Sequence, residues 1–338
     1  MLRERRRRGG RVSGALGACR DDELAALVAA APDGAVGVGG GCSVLDVDGV
    51  AVFVKRIPIT ARELARPRST ANLFDVPVCC QYGIYRIAGP GFGAWRELAA
   101  NEVVTAGVLA GETAHFPVLY HWRVLPDRPA VAAEHVDVEA VVAQFGGDPG
   151  VRARLAELAA ATSSLVLFAE YVPRPVDDWL RDPLGRAEVF ERQLLEAAGF
   201  LRRREVLHMD GHFGNVRADD ERIYLVDFGL ATSPRFELSG AEREFVGRHA
   251  GHDADYAVMW LVNWLVTTVC GVSVEDGFGA RDAYVRRCAG GDIPADVPAV
   301  VAGILGRHAA TAVRMNAFCL RLYFDGDLDA RYPARPGA

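Results

Sequence analysis

The sequence predicts an α+β fold with a small strand-rich first part and a larger, mainly helical second part. Three observations predict it. Residues 43–47 and 50–55 alternate like strands on either side of Asp48-Gly49, a strong hairpin turn. Residues 164–172, SLVLFAEYV, form an apolar strand that Pro173-Arg174-Pro175 ends. Beyond it the apolar residues recur at helical spacing, with Phe190, Leu194, Ala197 and Leu201 on one stripe. At 338 residues, half of them hydrophobic, the chain can bury one large core or two smaller ones.

In chain order, residues 1–11 carry six Arg and one Glu, leaving 32 basic against 43 acidic residues in the rest. Residues 1–20 therefore read as a basic, disordered tail, and the net charge of −6 argues against a nucleic-acid binder. Residues 21–31 place acidic residues before Leu24, Leu27 and Val28, the polarity that the positive end of a short helix favours. Gly37, Gly39, Gly40 and Gly41 then lead into the hairpin and its strand at Ser43, where backbone N–H groups free of a β-carbon can approach phosphate oxygens. Lys55 ends the second strand. Residues 57–95 have no clear period and read as a long ordered insertion.

Residues 95–109 have a helical pattern containing Glu97 and Glu102, and residues 116–124 should be the next strand. Residues 126–163 read as a second insertion with short helical pieces. The run 256–269 is short for a span that takes about 20 residues, and Asn263 interrupts it, so no membrane segment is expected. It reads instead as a helix buried all round. Residues 300–323 form a last helix. Seven cysteines without a CxxC spacing read as reduced thiols, which places the chain in the cytoplasm.

The most informative stretch is VLHMDGHFGNVRADDERIYLVDFGLAT, residues 206–232. His208, Asp210 and Asn215 have the spacing HxDxxxxN, and Asp227-Phe228-Gly229 follows a strand-like run. The chemistry this suggests is phosphoryl transfer: Asp210 orients a hydroxyl nucleophile, while Asn215 and Asp227 hold magnesium against the phosphates of ATP. Each residue alone has a plainer reading as a turn or core residue; their order and separation favour the site.

The stretch resembles the catalytic and metal-binding loops of the protein kinase-like superfamily. His208, Asp210, His212, Gly214 and Asn215 are closest to the HxDxHxGN of its aminoglycoside phosphotransferase branch. The resemblance implies a two-lobed fold, with a β-rich N-lobe over residues 21–170 carrying long insertions and a helical C-lobe over 171–338. It implies ATP and Mg2+ as cofactors, a glycine hairpin (Gly37, Gly39, Gly40, Gly41 and Ser43) over the phosphates, and Lys55 on the α- and β-phosphates. A helix glutamate fixes that lysine; both Glu97 and Glu102 qualify, and Glu102 is preferred. The hinge, Phe168 to Tyr171, lines the adenine through backbone groups, Glu170 and Tyr171 among them. His212 supports the catalytic loop, His208 packs beneath Phe228, and Asp255, or else Asp253, bonds the loop from the buried helix. The segment after residue 232 has no convincing APE closure, which favours a small hydroxyl acceptor over a Ser/Thr protein substrate. A nucleotide-binding pseudokinase is the non-enzymatic alternative.

Overall fold

A computed structural model describes residues 2–32, 36–37, 40–83, 89–273, 275 and 277–333. Among them are twelve α-helices and two small antiparallel sheets. The first half contains α1 (Leu2–Ala18), α2 (Asp21–Ala30), β1 (Val36–Gly37), β2 (Gly40–Val47), β3 (Val50–Ile59) and α3 (Ala61–Leu64). It continues through α4 (Ala94–Ala110), β4 (Leu119–Pro126), α5 (Val138–Gln144), α6 (Pro149–Ala159) and β5 (Ser163–Glu170).

The Asp48-Gly49 turn fixes the register of this half. Both residues have positive φ, 52° and 75°, as a tight hairpin requires. Val47 therefore faces Val50, and Cys42 faces Lys55. The sheet has the order β1-β2-β3-β5-β4. Successive side chains alternate between its faces. Val50, Val52 and Val54, with Val166 and Phe168, pack against Val12 and Leu16 of α1 and Leu24 and Val28 of α2. Ile57, Ile59, Leu165 and Leu167 pack against Ala94, Trp95 and Leu98 of α4 on the other face. Lys55, cross-strand from Leu167, lies on the α4 face.

The basic N-terminus is not a disordered tail. Residues 2–18 form α1, and the reason is a buried carboxylate. Arg5 is 5 % exposed and donates to Glu170 (Nε to Oε2 3.0 Å) and to the carbonyls of Ala114 (3.3 Å) and Phe116 (2.5 Å). Arg8 pairs with the other Glu170 oxygen. A buried carboxylate is tolerable when it is paired and hydrogen-bonded, and the arginine cluster supplies both.

The two insertions pack on each other. Phe74, Val76, Cys80 and Phe92 of the first form a common core with Val141, Val142, Phe145, Val151 and Leu155 of the second. Neither has a readable period because each supplies half of a small core.

The second half contains β6 (Arg174–Pro175), α7 (Val176–Trp179), α8 (Pro183–Arg203), β7 (Val216–Ala218), β8 (Ile223–Leu225) and α9 (Gly240–Arg248). Helices α10 (His252–Thr268), α11 (Gly277–Ala289) and α12 (Ala299–Tyr323) complete it. Strands β6, β7 and β8 make the second sheet. The stripe Phe190, Leu194, Ala197 and Leu201 of α8 is buried, and α10 is buried round most of its circumference. Among the described residues no helix is long and apolar enough to cross a membrane.

Candidate functional site

Three distant segments meet at Lys55. Its Nζ lies 2.7 Å from Glu97 Oε1 of α4 and 2.7 Å from Asp227 Oδ1. Glu97, not Glu102, is the lysine's partner. Five residues at about 100° each put Glu102 about 140° round the helix. There it pairs with Arg68 at 2.6 Å. The first insertion holds α4 at the required angle. Buried Glu63 accepts the N–H of Ala94 at 2.8 Å, its carbonyl accepts the Trp95 indole N–H at 2.9 Å, and buried Arg96 bonds Glu242 of α9 at 2.6 Å.

Burial alone would take the proton from Lys55, but the two carboxylates outweigh it and raise its pKa well above the ordinary lysine range. Burial, with the Asp227 charge, pushes Glu97 up to about 7 against the pull of Lys55. Burial also opposes the Asp227 charge, yet Lys55 and the Gly229 N–H hold that carboxyl below its usual range. Gly229 packs close to both carboxylates: a β-carbon would lie 3.1 Å from Asp227 Oδ1 and 3.5 Å from Glu97 Oε2.

The loop carrying Asp210 is held from below. Asp253 at the start of α10 accepts the N–H groups of His208 (2.7 Å) and Met209 (3.0 Å). Asp255 does not bond the loop; two residues along the helix it faces elsewhere and accepts the Tyr332 hydroxyl at 2.6 Å. Met209 and Asp227 both hold left-handed backbone, φ 67° and 66°. Such strain persists where surrounding bonds over-determine it. His208 is buried with its ring 4.8 Å from that of Phe228. Its Nε2 donates to the Val226 carbonyl at 3.0 Å, and its Nδ1 accepts the Asp210 N–H at 3.3 Å. Burial lowers its pKa, so the ring is a neutral strut.

The Asn215 amide donates to the Asp210 carbonyl (2.9 Å) and carboxylate (3.0 Å), and the Val226 N–H donates to the Asn215 carbonyl at 2.9 Å. Asn215 thereby links Asp210 to the strand that delivers Asp227. Burial, then the Asp227 charge, pushes Asp210 up to about 7. His212 Nε2 is 3.7 Å from Asp210 Oδ1. Burial lowers the His212 pKa as well.

The glycine hairpin and the hinge differ from expectation. Gly37 pairs with Gly40, and Gly41 with Val36; Gly39 lies outside the described residues. Gly40 has φ 117°, and a β-carbon there would be 2.1 Å from the Arg56 carbonyl oxygen, so close strand approach explains this glycine. Ser43 pairs with Val54 and faces away from Lys55; Cys42 is the residue beside the lysine. At the end of β5, the Glu170 carboxylate is taken by Arg5 and its N–H by the Val118 carbonyl at 2.9 Å.

Asp210, His212, Asp227, Glu97, Gly40 and Gly229 line one cavity of about 920 Å³; neither Glu170 nor Tyr171 lines it. The cavity runs from the second insertion to a wall made by α10 and α12. The first insertion crosses it, anchored by the Tyr82 hydroxyl 2.6 Å from His249 Nε2. Its Gly83 lies against the Asp210 carboxylate, where a β-carbon would be 2.0 Å from Oδ1. Gly83→Ala should displace Asp210 and reduce any activity that depends on that carboxylate by roughly 100-fold, the scale of a 1 Å misplacement, with little change in melting temperature. Unchanged activity in the folded variant would contradict that contact.

Compared with known families and curated proteins, the chain matches no family model, and no curated protein is significantly similar to it. Glu97 and Asp253 were the second choices from the sequence, behind Glu102 and Asp255, and Cys42 and Gly83 were not singled out as site residues. Hairpin arithmetic around Asp48-Gly49 would have found Cys42, and no local signal marks Gly83.

Proposed function

We propose that the chain is an ATP- and Mg2+-dependent phosphotransferase of two-lobed, protein kinase-like build, acting in the cytoplasm on the hydroxyl of a small molecule. The observation that carries this reading is Lys55 held 2.7 Å from both Glu97 and Asp227, two carboxylates that line the cavity together with Asp210. A lysine paired to a helix carboxylate is a fixed cation for phosphate oxygens, and its strand, α4 and the two loops come from separate parts of the chain.

The donor set fits magnesium. Asn215 spends its amide N–H on Asp210, leaving its oxygen, and Asp227 offers a carboxylate. Magnesium takes one or two such oxygens together with substrate phosphates and water. Bound there, the ion neutralises phosphate charge.

Lys55 steadies the phosphates, and Asp210 accepts the hydrogen bond of the acceptor hydroxyl, aligning its oxygen with the γ-phosphorus. As the new O–P bond forms and the bond to the β-phosphate oxygen breaks, the hydroxyl proton passes to Asp210 and ADP leaves with the electron pair. Positioning and charge neutralisation supply most of the catalysis. The cavity is roofed by both insertions, which suits a small acceptor better than a protein surface.

Incubation with γ-labelled ATP, magnesium and a cell extract, followed by separation by size, tests the reading. Label is expected in small molecules other than inorganic phosphate. Label confined to proteins would favour a Ser/Thr protein kinase, and no magnesium-dependent transfer would contradict a phosphotransferase.

A further inference from the structure

The far wall of the cavity carries its own chemical preference. Tyr256, Met259, Trp260 and Asn263 form one face of α10, and Asn316, Cys319 and Tyr323 one face of α12. The two helices are pinned by a reciprocal amide pair, Asn263 to Asn316 (2.8 and 3.1 Å). Three of these seven side chains, Tyr256, Trp260 and Tyr323, are aromatic. The Trp260 ring packs edge-on to Tyr256 at 6.2 Å and lies 6.3 Å from His212, so the aromatic surface reaches the catalytic loop. Phe278 and Phe324 close its outer end, their centroids 5.7 Å apart.

The charges are equally one-sided. Among the described residues lining the cavity, the acids are Glu97, Asp210 and Asp227, all at the transfer centre. A polycationic acceptor would find no carboxylate along the aromatic wall. Three arginines line the cavity. Arg128 donates to the carbonyls of Pro129 (3.0 Å) and Ala159 (2.8 Å), and Arg154 to that of Pro90 (2.9 Å) with Glu63 at 3.6 Å. Arg281 has neither hydrogen bond nor ion pair among the described residues. Its Nε is buried without a partner, its guanidinium lies 5.2 Å from the Phe278 ring, and neighbouring Asp282 is taken by Arg286 at 2.7 Å. The Asp282 charge acts on Arg281, but no carboxylate among the described residues is within ion-pair distance of it. A half-buried guanidinium beside aromatic rings, without a direct hydrogen bond to a protein anion, is suited to a ligand's anion.

We propose that the acceptor is a hydroxyl compound with a flat aromatic body and an anionic group, its ring packed against Trp260 and its anion on Arg281. This deepens, and rests on, the phosphotransferase reading. Polycationic amino sugars are disfavoured by the same wall.

The full chain would be titrated calorimetrically with 6-(hydroxymethyl)-2-naphthoate, its aminomethyl counterpart in place of the carboxylate, and kanamycin as a polycation. The carboxylate is expected to bind about tenfold or more tighter than either amine, the scale of one charge-assisted hydrogen bond. Arg281→Gln should remove that preference, and Arg281→Lys should retain part of it. Both variants should keep the stabilisation by MgATP. Equal or tighter binding of the amines, no binding of the carboxylate, or an unchanged preference in Arg281→Gln would overturn the assignment. MgATP measured in parallel separates the two readings. Stabilisation by MgATP without carboxylate binding sinks this inference alone. Arg281-dependent carboxylate binding without any response to MgATP sinks the phosphotransferase reading and leaves an aromatic-anion site.

Discussion

Replacing Asp210 by asparagine is expected to reduce transfer of phosphate from ATP by about two orders of magnitude or more, the scale of a lost general base or orienting group. The amide keeps the size of the side chain and can still meet the Asn215 amide 3.0 Å away, so the loop should remain folded. Stabilisation by MgATP should persist, because Lys55, Asn215 and Asp227 are untouched. The pH profile carries a second signature. Burial and the Asp227 charge push Asp210 up to about 7, and the ionised form is the one that accepts the hydroxyl proton. The free-enzyme kcat/KM should therefore rise with pH through about 7, and Asp210→Asn should lose that limb. Near-normal transfer in the purified variant would remove Asp210 from the mechanism.

The largest stability effect is expected at the N-terminus. Glu170 is 7 % exposed, held by Arg5 and Arg8, and Arg5 also reaches two backbone carbonyls. The double variant Arg5→Ala, Arg8→Ala leaves that carboxylate buried without a counter-ion. Removing one side of a buried ion pair costs about 3–5 kcal/mol, a large fraction of a domain's net stability. Arg7→Ala is the control. Its ion pair with Glu4 is exposed, 77 % and 58 %, and such pairs contribute about 0–1 kcal/mol. Chemical denaturation of the three proteins checks this. Equal midpoints for the double variant and the parent would show that α1 is not needed to hold the end of β5.

Much of the fold was legible in the sequence. The Asp48-Gly49 turn, the strand 163–170 and helices α2, α4, α8, α10 and α12 follow from period and punctuation, since each has a face that local spacing can reveal. Long-range pairing was not legible. A run of arginines reads as a tail until Glu170, 165 residues away, is known to lie against it. The insertions had no period because their shared core is assembled from both.

The site divides in the same way. The grouping of Asp210, Asn215 and Asp227 in space was readable because their separation along the chain is short. The choice between Glu97 and Glu102 was not, because α4 is apolar nearly all round. Glu97 shares a stripe with Val104 and Val108, and Glu102 with Leu98 and Leu109. The choice between Ser43 and Cys42 could have been made, because counting back from a two-residue turn places position 42 opposite position 55.

The central claim is that Lys55 and Asp227 together grip a nucleotide triphosphate. The most direct measurement is the melting temperature of the parent, Lys55→Ala and Asp227→Ala with magnesium alone and with MgATP. The parent is expected to be stabilised by MgATP beyond magnesium alone, with most of that rise lost in both variants. No rise in the parent, or the same rise in all three proteins, would contradict it.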